Sequence, residues 1–129
     1  MGERPLYFNS ILMNRSIVVV EDDANLRFVF RVILEGEGYQ VTLLEDGDNL
    51  SSVPVPDLYI LDNQLSGKKT GLQICRQLKA DDEKKQAPVI IISGNRDIRK
   101  EALAAGAQLF IQKPIEFDQL QQSLRDLFS

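Results

Sequence analysis

The tightest constraint in this chain is the run Asp57-Leu58-Tyr59-Ile60-Leu61, which stops at Asp62. An apolar run of about five residues ending on one carboxylate predicts an interior β-strand that delivers that group to the rim of a sheet. Three other runs repeat the design with different chemistry. Ser16-Ile17-Val18-Val19-Val20 ends at Glu21-Asp22-Asp23, and Val89-Ile90-Ile91-Ile92 ends at Ser93. Ala107-Gln108-Leu109-Phe110-Ile111 leads through Gln112 to Lys113-Pro114. If these strands are parallel, acids, a hydroxyl and an ammonium all stop at one edge.

The segments between the strands read as helices. Asp22 or Asp23 caps a helix from Ala24 to about Glu35, with Leu26, Val29 and Ile33 as its inward stripe, Phe30 beside it, and Phe28 and Val32 widening it. Gly36 and Gly38 end that helix. Tyr39 to Leu43 alternates with period two, which predicts an edge strand with one wetter face. Asp46 to Val53 is a short, weak helix at best, broken by Pro54 and Pro56. A third helix spans Gly71 to Lys79, capped by Thr70, with Leu72, Cys75 and Leu78 inward. Asp81 to Gln86 is a solvated charged loop. A fourth helix opens at Asn95 or Asp97, turns Ile98, Ala102 and Ala105 inward, and ends at Gly106. Glu116 to Phe128 closes the chain, with Phe117, Leu120, Leu124 and Leu127 at helical spacing.

Five β-α units in a row predict an α/β, doubly wound (βα)5 fold: a five-stranded parallel sheet with helices on both faces, a three-layer sandwich. In such folds ligands bind beyond the carboxyl ends of the strands, where the four chemical groups stand. The 129 residues suit one core. We therefore expect residues 16–129 to form one domain and residues 1–15 an N-terminal extension. That extension is either a helical arm or a product of start-site choice, since Met13 lies just before the first strand.

Composition removes several functions. With 15 basic against 19 acidic residues and no basic block, direct nucleic-acid binding is not expected. No apolar stretch approaches the roughly 20 residues of a membrane-spanning helix. The single Cys75 excludes an internal disulfide, fits a reducing cytoplasm, and reads as core packing. The chain has no histidine, so no His base, nucleophile or metal ligand is available within it. Oxygen ligation remains, which favours hard cations such as Mg2+.

Glu21, Asp22 and Asp62 brought together would repel unless a cation or proton intervenes. Mg2+ resolves this with carboxylate oxygens, a carbonyl and waters, and phosphoryl groups are its usual companions. Lys113 supplies a second positive charge and Ser93 a donor. The nucleophile left at the rim is a carboxylate, and attack by Asp62 on phosphorus would give an aspartyl phosphate. A dinucleotide site is not expected, since Glu21-Asp22-Asp23 stands where a glycine-rich turn is needed.

In this order, Val18-Val19-Val20-Glu21-Asp22-Asp23, Leu61-Asp62, Ile92-Ser93-Gly94 and Lys113-Pro114-Ile115 resemble the receiver domain of two-component response regulators, of the stand-alone CheY-like, flavodoxin-like type. The resemblance covers Ser16 to Phe128. It implies Asp62 as phosphoacceptor and Mg2+ (or Mn2+) held by Asp22 directly, by Glu21 mostly through water, and by Asp62 and the Gln64 backbone carbonyl; Asp23 is not among these ligands. It implies Lys113 and Ser93 on the phosphate, Ser93 and Phe110 as the switch pair, and Gln64 and Asn95 tuning dephosphorylation. The implied donor is a phosphohistidine on a sensor histidine kinase or a histidine phosphotransfer protein. The implied output is a downstream effector protein at the surface of the fourth helix, fifth strand and last helix, or a homodimer formed on phosphorylation. Ile98, Arg99, Ala102 and Leu103, with Lys100 and Gln112, are the residues expected on that surface. Activity would be limited to taking the phosphoryl group and hydrolysing it, in a bacterial cytoplasm.

Two departures stand out: Ser66 occupies a position usually held by Pro, and the loop before Gly71 is longer by a residue, with Lys68-Lys69 inserted in effect. The alternatives are a receiver-like interaction module that works without phosphorylation, and a Mg2+-dependent phosphatase with an Asp nucleophile. The second is disfavoured by Gln64 where that chemistry needs a second Asp.

Overall fold

A computed structural model describes residues 15–65, 67 and 69–129. The expectations for residues 1–14, Ser66 and Lys68 lie outside the described residues. The elements are β1 (Ser16–Val20), α1 (Ala24–Gly36), β2 (Gln40–Leu44), a 3-10 turn (Leu50–Ser52), β3 (Leu58–Asp62), α2 (Gly71–Lys79), β4 (Val89–Ser93), a second 3-10 turn (Arg96–Ile98), α3 (Arg99–Ala104), β5 (Leu109–Gln112) and α4 (Phe117–Phe128). The five strands form one parallel sheet in the order β2-β1-β3-β4-β5. From β1 the chain builds outward to β2 on one side and then returns to β3 on the other. That reversal is the switch point at which open α/β sheets place their ligands.

Each central strand is apolar apart from one polar residue at an end (Ser16, Asp62 and Ser93), so its two-residue alternation feeds two cores rather than a core and a wet face. Val18, Val20, Tyr59, Leu61, Val89 and Ile91 face one way and pack with Leu72, Ile74, Cys75 and Leu78 of α2 and Ala102 of α3. Ile17, Val19, Leu58, Ile60, Ile90 and Ile92 face the other way and pack with Phe30 and Leu34 of α1 and Leu120 and Leu124 of α4. Two helices per face give the three layers. β2, by contrast, is half-buried or exposed along its length, as its alternation required of an edge strand.

Four local expectations need correction. The helix expected over 46–53 contracts to the 3-10 turn Leu50–Ser52, because Pro54 and Pro56 leave too few residues to repeat an α-turn. The fourth helix is split into a 3-10 turn and the six-residue α3. Within α1 the buried residues are Phe30 and Leu34, while Phe28, Val29 and Val32 are exposed. The apolar stripe on that helix is wider than its buried face, and periodicity alone centred it one position away. Ala102, expected on the partner surface, is fully buried under the sheet; its small side chain is what lets α3 approach.

The caps follow their chemistry. Asp23, not Asp22, caps α1: its Oδ1 accepts from the Asn25 N–H (2.8 Å) and the Leu26 N–H (3.3 Å). Thr70 caps α2 in a reciprocal box with Gln73, whose Oε1 accepts from the Thr70 N–H. Cys75 is buried and its thiol donates to the Ala105 carbonyl at 3.5 Å, which ties α2 to the end of α3.

Candidate functional site

The sheet register brings the chemistry together. Val20 pairs with Leu61, Asp62 with Ile92, and Ser93 with Gln112. Glu21, Asp62, Ser93 and Lys113 are therefore the last strand residue, or the residue after it, on four neighbouring parallel strands. Among the described residues, the buried polar and charged side chains are Glu21, Asp62 and Ser93, and all three stand at this one edge. Acids are almost never fully buried without a partner, so their partners define the site.

Lys113 Nζ donates to Asp62 Oδ2 at 2.6 Å and lies 3.6 Å from Glu21 Oε1. Asp62 Oδ1 accepts from the Gln64 N–H at 2.8 Å. Both oxygens of Asp62 are thus held, one by the ammonium and one by its own loop. Burial, and then a hydrogen bond from its carboxyl to Asp62, raises Glu21 from 4.5 to about 8. A carboxyl raised in this way favours its protonated form, and that proton relieves the crowding of acids. Burial works against the Lys113 ammonium, but the hydrogen bond and charge of Asp62, with Glu21 behind, outweigh it and raise its pKa above the ordinary value.

Glu21, Asp22 and Asp62 each offer a carboxylate oxygen, and these oxygens lie within 4.8 Å of one another. A set of hard oxygen donors at that spacing fits a divalent cation such as Mg2+. The proton on Glu21 is what such an ion would displace.

The remaining expected residues sit around this centre. Ser93 is fully buried, and its Oγ accepts from the Asn95 N–H at 3.0 Å, so its hydroxyl is engaged with its own loop. Asn95 is exposed and opens the 3-10 turn, its Oδ1 accepting from the Asp97 N–H at 3.0 Å. The Gln64 side chain is exposed beside Asp62. Phe110 is buried in the core on the α2 and α3 face. The Lys113–Pro114 peptide bond is cis.

Three close contacts around this centre went unnoticed in the sequence. A Cβ on Gly71 would lie 2.5 Å from the Asp62 carbonyl oxygen, so α2 begins hard against the Asp62 backbone. Asn63 Oδ1 accepts from the Leu72 N–H at 3.0 Å and ties the loop to the same helix. Arg27 Nη1 donates to the Glu21 carbonyl at 2.7 Å. Gly71 stood at the end of a loop, Asn63 within it, and Arg27 between the apolar positions of a helix; none carried a signal beyond its type.

Comparison with known proteins agrees with this geometry. The response regulator receiver domain family matches residues 17–125. The phosphate regulon transcriptional regulatory protein PhoB of Rhizobium meliloti is 35% identical over 109 residues, 81% of this chain and 48% of that protein. The chain spans about half the length of the curated relatives it matches. Among solved structures, the receiver domain of sensor histidine kinase PA1611 from Pseudomonas aeruginosa has a TM-score of 0.78 at 26% identity. The match covers 88% of this chain and 96% of that one, and a magnesium ion is coordinated in that domain's active-site cleft. The response regulator TrrA of Thermotoga maritima, in complex with Mg2+-BeF, has a TM-score of 0.77 at 26% identity, covering 88% and 98%. With its parallel sheet in the 2-1-3-4-5 order and its buried acids at the carboxyl edge, the chain belongs to the response regulator receiver domain family.

Proposed function

We propose that the chain takes a phosphoryl group onto Asp62 from a phosphohistidine of a sensor kinase or phosphotransfer protein and passes the resulting change of shape to a partner protein. The observation that carries this reading is the concentration of buried polar groups at one sheet edge, two acids and a hydroxyl with Lys113 on top of them. A core does not hold such a group for stability alone, since paired buried charges add little over apolar packing.

In this reading Asp62 attacks phosphorus as the N–P bond of the donor breaks, and Lys113 holds the acceptor before transfer and a phosphoryl oxygen after it. Glu21 and Asp22, with Asp62 and the Gln64 carbonyl, would hold Mg2+ or Mn2+. That ion supplies charge neutralisation for the carboxylates and the incoming phosphoryl oxygens. Ser93 then exchanges the Asn95 N–H for a phosphoryl oxygen and draws its loop inward, and Phe110 reports that movement to the face of α3, β5 and α4. Gln64 and Asn95 flank the site as amides that can orient an attacking water but not deprotonate it, and so set hydrolysis.

Two surfaces support a protein donor and a protein output. Phe28, Val29 and Val32 are exposed on α1, just past the acid loop, where an apolar patch suits a docking protein. A cleft of about 380 Å3 lies along β5 and α4, lined by Arg99, Phe110, Gln112, Gln119 and Ser123. Leu103, Ile98 and Lys100 on or beside α3 extend that face, and self-association there on phosphorylation is a second form of output. The curated relatives are named as transcriptional and DNA-binding regulators about twice as long as this chain, so output through a partner protein is our reading rather than theirs. No helix among the described residues is long and apolar enough to cross a membrane.

The test is to incubate the protein with Mg2+ and phosphoramidate, a small N–P donor, and to trap any acyl phosphate with hydroxylamine. Peptide mapping should find the modification on Asp62. A modification elsewhere, or none in folded protein, would leave a receiver that works without phosphorylation.

A further inference from the structure

Arg27 is out of place on ordinary helix grounds. It is the fourth residue of α1, in a first turn with no acidic side chain, and a cation there opposes the helix dipole. Its side chain is nonetheless mostly buried, at 18% exposure. The guanidinium turns back past the start of its own helix. Nη1 donates to the Glu21 carbonyl at 2.7 Å, and Nη2 lies 3.7 Å from Glu45 Oε1, just past the end of β2.

The carbonyl it holds belongs to the Glu21–Asp22 peptide. The other contacts of this loop complete a clamp. The Glu21 N–H donates to the Leu44 carbonyl at 2.9 Å, and the Asp23 N–H donates to Glu21 Oε2 at 3.1 Å. Asp23 in turn is locked as the helix cap. Asp22 therefore sits between two peptide units that are both fixed from outside, the first by Arg27 and the second by Glu21. Local preference yields here to a contact made at the site, which is where such conflicts are expected.

We infer that Arg27 is a positioning residue for the divalent-cation site: by gripping the Glu21 carbonyl and bracing on Glu45, it holds the acid loop in the shape that aims Asp22 at the ion. This rests on the reading of Glu21, Asp22 and Asp62 as a metal site. Two effects of opposite sign compete when Arg27 is removed. Loss of a nearby cation favours metal binding, while release of the loop disfavours it. The pinned carbonyl is a short, charge-assisted contact, whereas the guanidinium's charge is shared with Glu45, so loop release wins.

The experiment compares wild type, Arg27→Ala and Arg27→Lys by calorimetric titration with Mg2+ and by amide exchange of Asp23 without metal. Arg27→Ala should weaken Mg2+ binding roughly five- to twentyfold, the scale of ordering one residue's backbone, and should speed exchange at Asp23. Arg27→Lys keeps a charged donor for the carbonyl and should recover most of the affinity. If Arg27→Ala does not fold, Arg27→Gln carries the same comparison. Unchanged or tighter Mg2+ binding in the neutral variant overturns the inference. Absence of Mg2+ binding in folded wild type overturns the metal reading itself, and the inference with it.

Discussion

Glu21 shows how one side chain couples folding, metal and pH. Its carboxyl, raised from 4.5 to about 8, keeps in the metal-free fold a proton that the unfolded chain releases. Folding gains from that proton in full below about pH 4.5 and loses the gain as pH climbs towards 8. Thermal unfolding in chelator should therefore show a midpoint that falls across this window, and Glu21→Gln should flatten the fall. Mg2+ affinity should rise over the same window, because the ion displaces the proton. A wild-type midpoint that is level across the window in chelator would remove the proton from the account. The chemistry of this residue was legible early: acids after β1 and β3 could be seen to repel. That Glu21 is raised was not legible, since it depends on burial and on the hydrogen bond its carboxyl makes to Asp62.

At the level of elements, the loop from β3 to α2 is built around close approach. Gly71 allows α2 to start against the Asp62 carbonyl, and Thr70 and Asn63 fix the two strands of chain that meet there. Gly71→Ala puts a methyl 2.5 Å from that oxygen and should cost about 1–3 kcal/mol in denaturant unfolding, as overpacking does. A neutral result would mean the loop gives way freely. The elements themselves were readable where the pattern was strong. Four apolar runs became β1, β3, β4 and β5, and Thr70 capped α2 as its type suggested. Reading failed where packing, not pattern, decides. Six apolar residues from Leu26 to Ile33 cannot reveal which of them face the sheet, and Phe28, Val29 and Val32 stay in solvent. The segment before Pro54 had enough helical character for a weak helix and enough room only for a 3-10 turn.

For the molecule as a whole, each of four neighbouring parallel strands ends within a residue of the next, and this alignment turns separate polar residues into one site. Single-sequence reasoning reached that edge because every central strand stopped on a polar group. It could not reach Arg27 or Asn63, whose partners lie on backbone atoms rather than in a motif. The central claim is that this edge accepts a phosphoryl group at Asp62. The most direct measurement is intact mass after incubation with acetyl phosphate, with and without Mg2+, for wild type and Asp62→Asn. The expected result is a Mg2+-dependent gain of one phosphoryl group in the wild type and none in the variant. A wild type that folds, binds Mg2+ and gains no mass, or an Asp62→Asn protein that gains as much, would contradict it.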